Sequence, residues 1–188
     1  MEKSACVILS PGFEEIEAVA VIDILRRAQI EVCLVSLRDD PLVLSARNVC
    51  IKAEKKLQDL SKKLFDVVIL PGGEPGATNM AMNDLLATFL KNHHNNKKLL
   101  AAICAAPKIF NNLGFLDGKK ATSYPSNKND LLRANYVESA VVVEGNIITS
   151  RGPASAMLFA FEIINQLGFS KISEKLQEGM LYNWMFKT

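Results

Sequence analysis

The chain has 188 residues, of which 49% are hydrophobic, and this is enough for one α/β domain with a sizeable buried core. Its net charge of +2 is close to neutral, so the composition does not indicate specific nucleic-acid binding. No apolar run is long enough to span a membrane, and the first apolar segment is too short for a signal peptide. We therefore expect a single cytoplasmic domain over residues 1–188.

The first half of the chain alternates strand patterns with helix patterns. Three apolar runs predict strands: Ala5–Leu9, Glu31–Ser36 and Asp66–Leu70. Helices are predicted over Glu14–Ala28 and from the Pro71-Gly72-Gly73 turn to about His94. Between them, two short extended pieces within Pro41–Ala53 flank Arg47-Asn48 and predict a hairpin.

The second half continues the alternation. Strands are predicted at Lys98–Ile103 and on both sides of the Gly145-Asn146 turn, at Val141–Glu144 and Ile147–Ser150. The predicted helices are Ala105–Leu113, Pro153–Leu167 and Ser170–Glu178. Such alternation predicts a mostly parallel sheet with helices on both faces, in which sites form at the carboxyl ends of the strands.

The segment Leu99–Pro107 places Cys104 between a buried strand and a helix. The alanines around Cys104 suit a sharp strand–nucleophile–helix turn, because the backbone is crowded there. At a helix N-terminus, free N–H groups and the dipole favour the thiolate, so Cys104 is predicted to be the most acidic thiol. The pattern alone also fits a buried structural cysteine, and it does not decide between the two.

Two further segments are expected at the same edge of the sheet. Gly72 and Gly73 end a buried strand, where glycines let N–H groups approach an oxyanion, although an ordinary tight turn has the same pattern. Their spacing does not match a dinucleotide-binding fingerprint. Glu17 lies in an apolar stretch of the first helix, and its burial would raise its pKa, as would a nearby thiolate.

The other cysteines and the two histidines give no sign of a metal site. Cys6, Cys33 and Cys50 show neither CxxC pairing nor zinc spacing, and no metal is expected. His93 and His94 lie in a polar Asn/Lys-rich stretch, where a solvated helix end is the simplest interpretation.

Four ordered motifs resemble those of the ThiJ/PfpI superfamily: PGFEEIEA near the start, LPGG at Leu70–Gly73, AAICAAP around Cys104 and SRGP at Ser150–Pro153. The match extends from about Ala5 to Leu167. It is closest to the branch that contains the Parkinson-disease-associated protein deglycase and the bacterial protein YajL. The resemblance implies a flavodoxin-like three-layer sandwich, related to the class I glutamine amidotransferase domain, and a homodimer with the first helix in its interface.

Site residues can be assigned through this resemblance, position by position. Cys104 matches the family's nucleophile, and Glu17 matches the acid that contacts its sulfur. The oxyanion and substrate-binding positions are Gly72, Gly73, Ala105, Tyr124, Arg47 and Arg151. The two arginines match residues near the site or the dimer contact.

Two departures from the family patterns bear on the activity. Peptidase-like members have a histidine directly after the cysteine, where this chain has Ala105, and the human deglycase has a histidine where this chain has Tyr124. Without a Cys-His pair, a peptidase or glutamine amidohydrolase is not expected. The resemblance implies instead a cofactor-free, glutathione-independent glyoxalase or deglycase acting on methylglyoxal-type 2-oxoaldehydes or on early glycation adducts of protein or nucleotide.

Two other functions remain open from the sequence. The same thiol could serve a non-enzymatic redox sensor or chaperone that responds to its oxidation. A plain flavodoxin-like binding module has no nucleotide or flavin motif to support it.

Overall fold

A computed structural model describes residues 3–60 and 63–186 and contains a seven-stranded central sheet. The five parallel strands that form most of it are β1 (Ser4–Leu9), β2 (Glu31–Ser36), β5 (Lys55–Lys56), β6 (Val67–Leu70) and β7 (Leu99–Ile103). The antiparallel pair β10 (Val141–Glu144) and β11 (Ile147–Ser150) completes it, with β11 parallel to β7. The resulting order is β10-β11-β7-β6-β1-β2-β5.

Two small two-stranded sheets stand apart from the central one. The first is the predicted hairpin, formed by β3 (Leu42–Leu44) and β4 (Cys50–Lys52), and it is confirmed. The second, β8 (Lys120–Ala121) with β9 (Asn135–Tyr136), is parallel and was not predicted, because two-residue strands leave no periodic pattern in a sequence.

Within residues 3–60 and 63–186, six α-helices surround the sheet: α1 (Glu15–Arg27), α2 (Gly76–Ala81), α3 (Asp84–Asn95), α4 (Pro107–Asn112), α5 (Ala156–Gln166) and α6 (Ser170–Gly179). Side chains of α1 and α5 pack on one face of the sheet in one hydrophobic cluster, and those of α3 and α4 pack on the other face in a second cluster. This three-layer arrangement confirms the predicted flavodoxin-like α/β fold.

The helix boundaries differ from the sequence predictions where polar caps and turns intervene. Glu14 is the N-cap of α1, because its side chain accepts a hydrogen bond from the Glu17 N–H at 2.8 Å. The single helical stretch predicted before His94 is two helices, since Asn83 caps α3 through the Leu86 N–H. The helix predicted from Pro153 begins with a 3-10 turn at Pro153–Ser155 before α5.

The interpretation of His93 and His94 as a solvated helix end is wrong for His93. Its side chain is fully buried; Nε2 accepts a hydrogen bond from the Phe65 N–H at 3.0 Å, and Nδ1 lies 2.8 Å from the Phe89 carbonyl oxygen. Burial lowers the pKa of His93, consistent with a neutral ring that bridges α3 and the segment before β6. His94 stacks on Phe115, with ring centroids 4.2 Å apart.

In the part of the chain that the structure describes, no helix has the length and apolar character needed to cross a membrane.

Candidate active site

Cys104 lies at a strained elbow between β7 and α4. Its φ of 64° is in the left-handed region, which a residue with a Cβ seldom adopts, so the turn is held by its surroundings. Two hydrogen bonds hold it: the Cys104 N–H donates to the Ser150 carbonyl oxygen at 3.0 Å, and the Cys104 carbonyl oxygen accepts from the Tyr124 N–H at 2.9 Å. The thiol is partly buried and reaches the cluster beneath α1 and α5.

The two glycines after β6 allow the backbone to approach this thiol. A Cβ on Gly72 would lie 2.7 Å from the Cys104 Cβ and 2.8 Å from Glu17 Oε2, so no other residue fits without displacing one of them. Gly73 has a φ of 87°, which glycine adopts without strain. The backbone N–H groups of Gly73 and Ala105 face the Cys104 sulfur and lower the pKa of its thiol. These two donors form an anion-binding pocket around the thiol.

Glu17 projects from the first turn of α1 toward the same point. Its side chain is fully buried, and its Oε2 accepts a hydrogen bond from the Gly72 N–H at 2.7 Å. The neighbouring Cys104 thiol acts on the pKa of this carboxyl group and lowers it. Oε1 is buried and has no hydrogen-bond partner among the described residues, so it is available to the sulfur or to a ligand. The Glu14 N–H donates to the Gly72 carbonyl oxygen at 2.9 Å and ties the start of α1 to the glycine turn.

The Glu17–Cys104 pair cannot carry two negative charges. Burial raises the pKa of Glu17 to about 7, in spite of hydrogen bonds from Cys104 and Gly72 that lower it. Burial, followed by the charge of ionised Glu17 and the hydrogen bond to it, raises the pKa of the Cys104 thiol to about 12. The prediction that Cys104 has an acidic thiol is therefore wrong for a site in which Glu17 is ionised. The two groups titrate together, so the loss of the first proton belongs to the pair and not to one residue. The resulting single negative charge is shared between the carboxyl group and the sulfur.

The three remaining side chains named from the sequence make their described contacts with residues other than the Cys104 thiol. Tyr124 meets Cys104 through its backbone, while its ring packs over Gly152. Arg151 follows β11, and its Nη2 lies 3.8 Å from an oxygen of Glu138. Arg47 is exposed in the β3–β4 turn, which backbone hydrogen bonds attach to the loop before α1.

The described residues contain no cluster of three or more His, Cys, Asp or Glu side chains arranged to hold a metal ion. The groups that meet at Cys104 are one thiol, one carboxyl group and backbone N–H donors. Such a set can add a thiolate to a carbonyl carbon, bind the resulting oxyanion and transfer a proton.

No sequence pattern indicated the open cavity that Tyr124 and Arg151 border. It has a volume of about 520 Å³ and is bounded by Tyr124, Arg151 and Gly152 on one side and by Tyr182 and Phe186 on the other. The aromatic residues of the C-terminal segment were the available signal, but a single sequence does not indicate where such a segment packs.

A protein-family model matches most of the chain. Residues 3–166 match the DJ-1/PfpI family. The chain belongs to the DJ-1/PfpI family. The flavodoxin-like sheet described above is therefore the sheet of a DJ-1/PfpI family member.

Similar proteins cover almost the whole chain. Drosophila melanogaster "Protein dj-1beta" is 40% identical over 96% of this chain and 98% of its own length, and its crystal structure superposes with a TM-score of 0.93. The solved structure "Toxoplasma gondii DJ-1, oxidized" is 37% identical and has a TM-score of 0.92, with 95% of this chain and 98% of that chain covered. A Caenorhabditis elegans protein named "Glutathione-independent glyoxalase DJR-1.2" is 31% identical over 88% of this chain and 89% of its own length.

Proposed function

We propose that the protein is a cysteine-dependent, glutathione-independent glyoxalase that converts methylglyoxal-type 2-oxoaldehydes to 2-hydroxy acids, and that it acts on early glycation adducts through the same chemistry. The observation that carries the proposal is the convergence of Cys104, the buried Glu17 and the N–H groups of Gly73 and Ala105. A relative named as a glutathione-independent glyoxalase supports the same activity.

The shared charge of the pair is expected to lie on the sulfur. A Cys104 thiolate would accept hydrogen bonds from the Gly73 N–H, the Ala105 N–H and a protonated Glu17 Oε1. If the charge lay on the Glu17 carboxylate instead, the N–H groups of Gly73 and Ala105 would face a neutral thiol, which is a weak hydrogen-bond acceptor. Glu17 Oε2 keeps its bond from the Gly72 N–H in both states, so it does not oppose protonation of Oε1.

The proposed reaction begins when the Cys104 thiolate adds to the aldehyde carbon. The resulting oxyanion is stabilised by the N–H groups of Gly73 and Ala105 and takes the proton from Glu17, which gives a hemithioacetal. The Glu17 carboxylate then removes the hydrogen from the former aldehyde carbon and delivers it to the neighbouring carbon through an enediol. The hydroxyl proton moves to the second oxygen, a thioester forms, and water hydrolyses it to release the 2-hydroxy acid and regenerate the thiol.

Product identification by proton NMR tests this function directly. Purified protein, methylglyoxal and no added thiol should yield lactate over many turnovers. Loss of methylglyoxal without lactate, or with at most one equivalent consumed per chain, would instead indicate scavenging by surface nucleophiles.

Redox sensing at the same thiol is the second candidate function, and the position of Glu17 favours it. A protonated Oε1, which has no other described partner, could donate a hydrogen bond to a Cys104 sulfinate. We expect a peroxide titration to add two oxygens to Cys104 before Cys50, which is more exposed, with activity lost in parallel. Peptide mass spectrometry that places the added oxygens mainly on Cys50 or Cys33 would contradict this candidate.

A homodimer through α1 is proposed as the working form. Ile16 and Val19 of α1 are 55% and 45% exposed, and Leu44 and Val49 beside the β3–β4 turn are exposed as well. The Gly12 N–H donates to the Leu44 carbonyl oxygen at 2.8 Å, so helix and hairpin are held together at this surface. Burying such an apolar surface against a second copy would remove it from water.

Light scattering at micromolar concentration should accordingly give twice the 20.7 kDa of one chain. Val19→Glu should shift the mass toward one chain, because it would bury two carboxylates at the symmetry axis. Met82→Glu is the control, since Met82 is also an exposed apolar residue but lies at the end of α2. A monomeric wild type, or an equal effect of both variants, would contradict an α1 interface.

A further inference from the structure

The cavity next to Tyr124 lies on the same face and at the same edge of the sheet as Cys104. Cys104 and Tyr182 both pack against the cluster beneath α1 and α5. Tyr124 and Arg151 both border the cavity. The Tyr124 N–H donates to the Cys104 carbonyl oxygen, and Arg151 follows Ser150, whose carbonyl oxygen accepts from the Cys104 N–H. The cavity is therefore placed to hold a part of a molecule whose reacting carbon is at the thiol.

The walls of the cavity are mostly apolar. The Tyr124 ring lies against Gly152, where an added Cβ would be 3.2 Å from the ring. The opposite wall is built by Tyr182, whose ring centroid is 5.1 Å from that of Phe161 and 5.3 Å from that of Phe186 in edge-to-face contacts. Leu158 of α5 also contributes to the lining. Aromatic walls of this kind, in a volume of about 520 Å³, suit an aromatic ring.

Arg151 is the charged residue of the lining, and one of its nitrogens is unsatisfied. Nη1 is buried and has no hydrogen-bond partner among the described residues, whereas Nη2 faces Glu138 at 3.8 Å. A buried N–H donor without a hydrogen-bond partner destabilises the free protein, and a ligand oxygen that accepts from it would remove that cost. A positive charge at the wall also disfavours a cationic substituent.

We propose that this cavity is the subsite for an aryl substituent, so that the preferred substrates are aryl-substituted 2-oxoaldehydes and not methylglyoxal itself. This inference rests on the proposed glyoxalase function. The aldehyde carbon meets Cys104, the ketone oxygen accepts from Arg151 Nη1, and the ring lies between Tyr124 and the Tyr182–Phe186 wall. The positive charge of Arg151 makes glycated lysine side chains that are still cationic poor ligands of this cavity.

Steady-state kinetics with phenylglyoxal and methylglyoxal test the subsite. We expect kcat/KM for phenylglyoxal to be about tenfold or more above that for methylglyoxal, mainly through KM, because burial of the ring adds apolar contact. Phe186→Ala should lower the ratio of the two kcat/KM values about fivefold, since it removes one wall. Trp184→Ala is the matched control, because Trp184 lies on the same segment and does not line the cavity, and it should leave the ratio unchanged.

The outcomes separate the subsite from the function. Turnover of methylglyoxal with no preference for phenylglyoxal, or a ratio that Phe186→Ala does not change, overturns the subsite and leaves the glyoxalase function standing. If neither aldehyde is turned over, the proposed function fails and calorimetric titration with mandelate and lactate decides the subsite. Mandelate binding about tenfold tighter than lactate, and weakened by Phe186→Ala but not by Trp184→Ala, supports it; equal affinities overturn it.

Discussion

Cys104→Ser is expected to lower kcat/KM for methylglyoxal by about a thousandfold or more, because a hydroxyl group is a far weaker nucleophile than the thiolate of the proposed mechanism. The substitution changes one atom, and the backbone bonds of Cys104 to Ser150 and Tyr124 do not involve the side chain, so the fold should be kept. Lactate formation followed by NMR measures the activity, and thermal unfolding shows whether the variant is folded.

Cys50→Ser is the matched control for this change. Cys50 is an exposed free cysteine on β4, away from the Glu17–Gly73 pocket, and its replacement should leave lactate formation within about twofold of wild type. Equal loss in both variants, or substantial lactate formation by Cys104→Ser, would remove Cys104 from the role of nucleophile.

Glu17→Gln is expected to reduce kcat/KM by about 10²–10⁴, the range that a positioned general acid–base contributes. The amide can still accept the hydrogen bond from the Gly72 N–H, so the glycine turn and the start of α1 should stay in place. It cannot take the hydrogen from the hemithioacetal carbon, and the loss should therefore appear mainly in kcat.

Asp23→Asn removes another carboxylate from the same helix and serves as the control. Asp23 pairs with Arg27 at 2.7 Å on the face of α1 that also carries Ile16 and Val19, so light scattering should first show that the variant keeps the wild-type mass. With the mass unchanged, the loss of this exposed ion pair should affect activity little. If Glu17→Gln retained wild-type kcat, proton transfer would have to be assigned to another group. A collapse of kcat in both variants would point to damage of α1 instead.

The sequence predicted the parts of the site that are set by local chemistry. Small residues around Cys104 indicated the elbow, and Gly72 and Gly73 indicated a backbone approach, which the 2.7 Å distance between a Gly72 Cβ and the Cys104 Cβ now explains. The apolar surroundings of Glu17 indicated its burial and raised pKa. Each of these features follows from a few neighbouring residues, and the strand–helix alternation fixed the edge of the sheet at which they meet.

The features that could not be predicted depend on contacts between distant segments. A polar Asn/Lys-rich stretch suggested solvated histidines, yet His93 is enclosed because Phe65 and Phe89 supply its hydrogen bonds and ring contacts. The packing of the Tyr124 ring over Gly152 likewise joins two segments that are distant in the sequence. The pKa of Cys104 depends on whether Glu17 is charged, and helix-terminus arguments do not include that coupling.

The pH dependence of Cys104 alkylation tests the shared charge of the pair most directly. Burial raises the pKa of Glu17 to about 7, so below that pH both groups are protonated and the neutral thiol should react slowly. Above it, the proposed placement of the single charge on the sulfur predicts that the rate reaches a plateau. The measurement is the rate of iodoacetamide labelling of Cys104 by peptide mass spectrometry, with N-acetylcysteine in the same sample as the free-thiol reference. The account predicts a step near pH 7 at Cys104 that Glu17→Gln displaces, and a step at the pH of an ordinary free thiol in both proteins would contradict it.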